Sequence, residues 1–75
     1  MDYRERFKNL RIDNDLEQTD IASICNVSNK TVSHWETFRV EMSVDCISKL
    51  CRYYKISCNY IFGLPEYPSP NSKNI

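Results

Sequence analysis

Tyr3, Phe7, Leu10 and Asn14 step by four, three and four residues, and the first three are apolar. That spacing lays one stripe along a helix, so a first helix is predicted over about residues 3–14. Arg4, Arg6, Lys8 and Arg11 form its solvated face. The run Asp13-Asn14-Asp15 is turn chemistry that ends it, and Leu16 follows as a core plug. Ile21, Ala22, Ile24 and Cys25 crowd one side of a second helix over about residues 18–25. Asn26 tolerates the left-handed conformation and stops that helix. Ser28 is a good N-cap for a third helix over residues 29–36, with Val32 and Trp35 as its inward pair. At that spacing Trp35 belongs in the core, not on a base-stacking surface.

Residues 37–42 read as a loop. Ser43 is another N-cap, and Asp45 just behind it suits the helix dipole. Val44, Ile47, Leu50, Cys51 and Tyr54 give the cleanest amphipathic stripe in the chain, a fourth helix over residues 44–54. Ser57 caps a short fifth helix over residues 58–62, closed by Gly63. Ile61 and Phe62 are expected to pack inward, and Cys58 and Tyr60 outward. The remainder, LPEYPSPNSKNI, carries all three prolines and is not regular. The pattern divides the chain into a domain over residues 1–64 and a Pro-containing tail over residues 65–75. No segment alternates as a strand, so the predicted class is all-α with five short helices.

Composition narrows the chemistry. Seventy-five residues suit one domain, and 41% hydrophobic with 27% charged residues is a folded, globular balance despite a mean hydropathy of −0.56. A single Gly excludes a Gly-rich phosphate loop, and a single His excludes a catalytic pair of two histidines or a multi-His metal site. With no nucleophile–base pair and no metal set, an enzyme is not expected. No apolar run approaches the ~20 residues of a membrane span. The start, MDYRERFKNL, is charged where a signal peptide needs an apolar stretch, so a cytoplasmic location is expected.

Ten Lys and Arg balance ten Asp and Glu. Residues 1–36 hold five basic and seven acidic side chains, and residues 37–75 hold five and three. Neither half is a basic block, which by itself weighs against a nucleic-acid binder. The cysteines, Cys25, Cys46, Cys51 and Cys58, lie 21, 5 and 7 positions apart with no C-x-x-C pair. A zinc site favours close ligand pairs, and a disulfide framework needs an oxidising compartment. The cysteines are therefore expected to act as small apolar residues, three of them on buried helix faces.

The second and third helices with their tight turn form a helix-turn-helix, built from Gln18, Ile21-Ala22, Asn26-Val27-Ser28, Thr31-Val32-Ser33 and Trp35-Glu36. Ala22 is small where the two helices cross. Asn26 takes the sharp turn. Val27 and Val32 fill the wedge between the helices. Ser28 caps the third helix and leaves its first turn free to face a groove. These spacings leave Asn29, Lys30, Ser33 and His34 on the outer face, and all four residue types can hydrogen-bond base edges or phosphates.

The stretch from Phe7 to Leu64, about 58 of 75 residues, resembles the phage repressor/Cro-type (xenobiotic-response-element) helix-turn-helix family. The segments that carry the resemblance are LEQTDIASICNVSNKTVSHWE and LCRYYKISCNYIFGL. It implies a lambda-repressor-like DNA-binding domain whose third helix docks in the major groove of double-stranded DNA. It also implies a sequence-specific transcriptional regulator that acts by occupying an operator, without a cofactor or small-molecule ligand. Dimers of that family read half-sites ~34–36 Å apart, so a weak homodimer is expected.

By position, the resemblance gives Gln18 a phosphate contact and a buttress to the reading helix. It gives Ser28, Asn29 and Lys30 the first positions facing DNA, and Ser33 and His34 the next turn. Thr37 and Arg39 fall where relatives hold the sugar-phosphate backbone. Arg11 and Glu36 match a frequent structural ion pair. Residues 57–64 match the common pairing region, with Cys58, Tyr60 and Ile61 as candidate dimer contacts and Tyr67 just beyond. The chain departs from the family at Glu17, commonly a Thr cap, at Asp15 and Phe38, commonly Gly, and at Met42, commonly Pro. Glu41 would repel phosphate if it faced DNA. Zero net charge and Glu41 favour an alternative on the same fold, an antitoxin-like or adaptor module that binds a protein.

Overall fold

The computed structural model describes residues 2–64. Five helices follow one another: α1 Tyr3–Asp13, α2 Gln18–Cys25, α3 Asn29–Glu36, α4 Val44–Tyr54 and α5 Cys58–Phe62. No strand occurs among the described residues. The Pro-containing tail and Tyr67 lie outside them.

Side-chain caps set where most of these helices begin. The Ser28, Ser43 and Ser57 hydroxyls accept from the backbone N–H groups of Thr31, Cys46 and Tyr60 at 3.1, 3.2 and 3.1 Å. Each such cap satisfies one of the donors a helix start leaves open and is worth ~1 kcal/mol. Asp2 does the same for α1, accepting from Arg4 N–H at 2.8 Å. Hydrogen bonding from the Arg4 side chain holds the Asp2 carboxyl down to about 2. At α2 the Asp20 carboxylate reaches back to the Glu17 N–H at 2.8 Å.

Left-handed residues end three of the helices: Asn26 (φ 58°), Lys55 (φ 59°) and Gly63 (φ 71°). Asp15 (φ 57°) and Phe38 (φ 64°) are left-handed as well. At both, glycine would carry that conformation without strain.

The core joins Phe7 of α1, Ile21, Ala22 and Cys25 of α2, Val32 and Trp35 of α3, Cys46, Ile47, Leu50 and Cys51 of α4, and Ile61 of α5. Leu10 and Leu16 pack against it while partly buried. α2 packs on both α3 and α4, and α1 packs on α3 and α5.

Two expectations are corrected, at Val44 and on α5, and the loop adds a core residue on which the sequence gives no reading. Val44 is 82% exposed, and Cys46 takes its place on the buried face. Six residues before Leu50, Val44 sits ~120° round the helix from it, whereas Cys46 at four residues is only ~40° away. Met42 belongs to the core although it lies in the loop. Its N–H donates to the Tyr3 hydroxyl at 3.0 Å, the hydroxyl donates to Glu41 Oε1 at 2.9 Å, and the loop is drawn onto α1. On α5 only Ile61 turns inward, completely buried, while Phe62 is 44% exposed against the Tyr3 ring. Ile61 therefore has no surface to offer a second chain.

Candidate functional site

The turn between α2 and α3 decides how α3 is presented. Asn26 in the left-handed region lets its own N–H reach the Ala22 and Ser23 carbonyls, and the Val27 N–H bonds Ala22 O at 3.0 Å. The chain then leaves α2 abruptly and enters α3 at Ser28. The closed turn and the small Ala22 bring the two helices together, and Val32 and Trp35 face the core.

The opposite side of α3 carries the residues singled out from the sequence. Asn29 and Lys30 are exposed in its first turn, and Ser33 and His34 are half-buried one turn later. The Ser28 hydroxyl is occupied by its cap and by a 2.9 Å hydrogen bond with the Thr31 hydroxyl. Thr37 closes the helix and turns its hydroxyl back to donate to Ser33 O at 2.9 Å. The Arg39 N–H donates to His34 O at 2.8 Å, which leaves the Arg39 side chain exposed in the loop. Glu36 is the single carboxylate of α3 and does not face the same way.

Glu36 is instead held from behind. Its Oε2 accepts from Arg11 Nε at 2.7 Å, and its Oε1 accepts from Arg11 Nη2 at 3.0 Å and from Gln18 Nε2 at 2.9 Å. Arg11 Nη1 also donates to Leu16 O at 2.9 Å. Side-chain exposure is 15% at Arg11 and 9% at Glu36, so the pair is largely out of water. The hydrogen bonds from Arg11 to Glu36 raise the Arg11 pKa above its already high value, so the guanidinium stays charged. One carboxylate thus ties the end of α1, the start of α2 and the end of α3.

Between these elements lies an open polar recess of about 260 Å³, lined by Arg11, Glu17, Gln18, Thr19 and Asn29. It sits where the N-terminus of α2 meets the first turn of α3. Thr19 was not singled out from the sequence, because a polar residue in the first turn of an amphipathic helix carries no signal of its own. The recess brings Gln18 and Asn29 together. Lys30, Ser33 and His34 continue along α3, and Thr37 and Arg39 follow it. Glu41 does not project freely, because the Tyr3 hydroxyl is bonded to it.

The dimer candidates divide. Cys58 and Tyr60 are exposed, Ile61 is not, and Phe62 and Leu64 join the exposed set at 44% and 56%. Arg6 lies over the Tyr60 ring with 5.5 Å from its guanidinium carbon to the centroid.

No family model matches the chain, and no curated protein matches it in sequence. Among solved structures, at least two are similar in fold. One is the P22 c2 repressor protein in complex with synthetic operator 9T in the presence of Tl+, with a TM-score of 0.73, 22% identity, and coverage of 83% of this chain and 94% of that one. Another is a transcriptional regulator from Listeria innocua, with a TM-score of 0.79, 21% identity, and coverage of 93% of this chain and 66% of that one. This chain therefore spans about two thirds of the Listeria regulator. The likeness establishes the repressor-type helix-turn-helix fold, all-α with five helices.

Proposed function

We propose that the domain binds double-stranded DNA through α3 and regulates transcription in the cytoplasm by occupying an operator. The observation that carries this reading is the presentation of α3. Its buried face is locked to the core and to Arg11, while its first turn stands clear with Asn29 and Lys30 exposed. A helix held from behind with its N-terminal residues free is suited to enter a major groove.

The chemistry of each position supports a role. Asn29 can pair with N6 and N7 on the major-groove edge of an adenine, and Lys30 can reach guanine or phosphate. Ser33 and His34 offer further hydrogen bonds one turn on. Ser28, Thr37 and Arg39 flank the helix where the sugar-phosphate backbone would run. Gln18 lines the recess and braces Glu36, so it would hold a phosphate and the reading helix at once. The likeness to a repressor solved with its operator supports the same reading.

Net neutrality sets a limit on the electrostatics. Among the described residues Lys30 is exposed on this face and Arg39 beside it, and two phosphates neutralised per subunit would give a salt slope of about −1.8. That is modest, and specific affinity would need two subunits on adjacent half-sites, joined through exposed Tyr60, Phe62 and Leu64 near Cys58.

Selection from a randomised duplex library tests the reading. The expected result is an enriched motif with two-fold symmetry and half-sites ~34–36 Å apart. Affinity for that motif should fall as salt rises from about 50 to about 200 mM. Failure to enrich any sequence, with no binding even at the lower salt, would favour the protein-binding alternative.

A further inference from the structure

We infer that Cys51 and Cys58 form a reversible oxidation site, at which a hydroperoxide converts the two thiols into an intrachain disulfide that pins α5 to α4. The inference rests on the thiol geometry and is independent of DNA binding.

The Cys58 thiol donates to Cys51 Sγ at 3.3 Å, across the corner between α4 and α5. A disulfide needs ~2.05 Å, so the sulfurs must close by only about 1.2 Å. Nothing but residues 55–57 separates the two helices, and α5 is five residues long. A small shift of its first turn supplies that movement.

The two thiols differ in a way that orders the chemistry. Cys58 is exposed, whereas Cys51 is buried, and burial pushes the Cys51 thiol up to about 12. Peroxide in solution therefore meets Cys58 first, because the thiolate of an accessible cysteine is the nucleophile. Cys25 and Cys46 are both buried, and neither offers an accessible first sulfur.

In the first step the Cys58 thiolate attacks the O–O bond. The S–O bond forms, the O–O bond breaks, and the hydroperoxide leaves as an alcohol, or as water when hydrogen peroxide is the oxidant. Cys58 becomes a sulfenic acid. In the second step Cys51 sulfur attacks Cys58 sulfur, the S–S bond forms, and the hydroxyl leaves with the Cys51 proton as water. Two electrons have passed from the sulfur pair to the peroxide. Burial keeps Cys51 a thiol, which slows its attack, and its position 3.3 Å from Cys58 offsets that handicap. An external thiol reverses the reaction by exchange, leaving as its own disulfide.

The test uses the full reduced chain in its native state, treated with hydrogen peroxide and then alkylated. The expected outcome is a fall from four free thiols to two, a mass loss of about 2 Da and a peptide map joining Cys51 to Cys58 within one chain. Dithiothreitol should restore all four thiols. Cys58→Ser should slow peroxide-dependent thiol loss about tenfold or more. Cys51→Ser should leave a Cys58 sulfenic acid that a 1,3-dione reagent traps. A Cys58 link between two chains, a Cys25–Cys46 link, or over-oxidation of Cys58 in the unsubstituted protein without loss of a second thiol would each overturn the inference. The wild-type map decides the matter even if either variant fails to fold.

Discussion

Arg11 in the last turn of α1 grips Glu36 at the end of α3 by two parallel hydrogen bonds of 2.7 and 3.0 Å, side by side across 25 residues of sequence. A fork-to-fork pair of this kind fixes direction as well as distance, because the planar guanidinium matches the carboxylate only in one orientation. Gln18 adds a third donor at 2.9 Å, so the rear of α3 is held at a set angle to α1 and α2.

Removing one partner should therefore cost more than an exposed salt bridge would. Arg11→Ala leaves a largely buried carboxylate with Gln18 as its remaining side-chain partner, and a loss of about 2–4 kcal/mol is expected. Urea unfolding of Arg11→Ala, Glu36→Ala and the double variant measures the coupling directly. A coupling energy below ~0.5 kcal/mol would mean that the contact contributes no more than a surface pair.

A second expectation concerns backbone strain. Lys55 ends α4 in the left-handed region with φ 59°, and it is exposed. A residue with a Cβ loses ~1 kcal/mol there relative to glycine. Lys55→Gly should raise the urea midpoint by an amount equal to about 1 kcal/mol, since the capping N–H bonds to Arg52 O and Cys51 O remain. Phe38 is strained in the same way, but its ring lies under the Arg4 guanidinium at 5.3 Å, so Phe38→Gly gives up a contact as it relieves strain. An unchanged midpoint for Lys55→Gly would show that the left-handed cap is not strained.

Much of this architecture is legible in the chain. Periodicity places all five helices, and Asn26 and Ser28 mark the turn and cap of the motif because their side chains perform those tasks locally. Val44 and Cys46 show where periodicity stops. At a helix start the stripe has no preceding turn to fix its phase, so the larger apolar Val44 is placed in it ahead of Cys46, although burial of three cysteines is legible from their chemistry. Met42 is hidden because its burial depends on Tyr3, 39 residues earlier. Ile61 and Phe62 are adjacent and equally apolar, and which of them turns inward is set by packing on α1 and α4. The Arg11–Glu36 contact comes from resemblance alone, since no local spacing relates two charges so far apart.

On the reading face, Asn29 and Lys30 should fail differently. Lys30→Ala should weaken binding to every sequence alike and lower the salt slope by about 0.9 if its contact is to one phosphate. Asn29→Ala should relax preference at a single base pair, with a loss of ~1–3 kcal/mol of discrimination. Both are read from affinities for the selected duplex and its single-base variants at several salt concentrations. Unchanged affinity in both variants would remove α3 as the reading helix.

Self-association is the last expectation, and the exposed end of α5 frames it. Tyr60, Phe62 and Leu64 are 48, 44 and 56% exposed and crowd into five consecutive positions, while Ile61 anchors the helix below them. Arg6 over the Tyr60 ring and Tyr3 beside Phe62 at 5.2 Å brace both aromatic side chains from α1, so the patch is ordered before a partner arrives. A patch of this size falls short of the ~1,200 Å² of a stable interface, so a second copy should add only a weak bond. An isologous pairing uses the same surface twice, and a charge introduced at Tyr60 is then met by its own image. Tyr60→Asp should accordingly abolish association, and because the ring is half in solvent the helical circular dichroism should be unchanged. Sedimentation equilibrium across a concentration series of both proteins is the measurement. A wild type that stays monomeric at every concentration and binds the full operator without cooperativity would show that α5 is not where two copies meet.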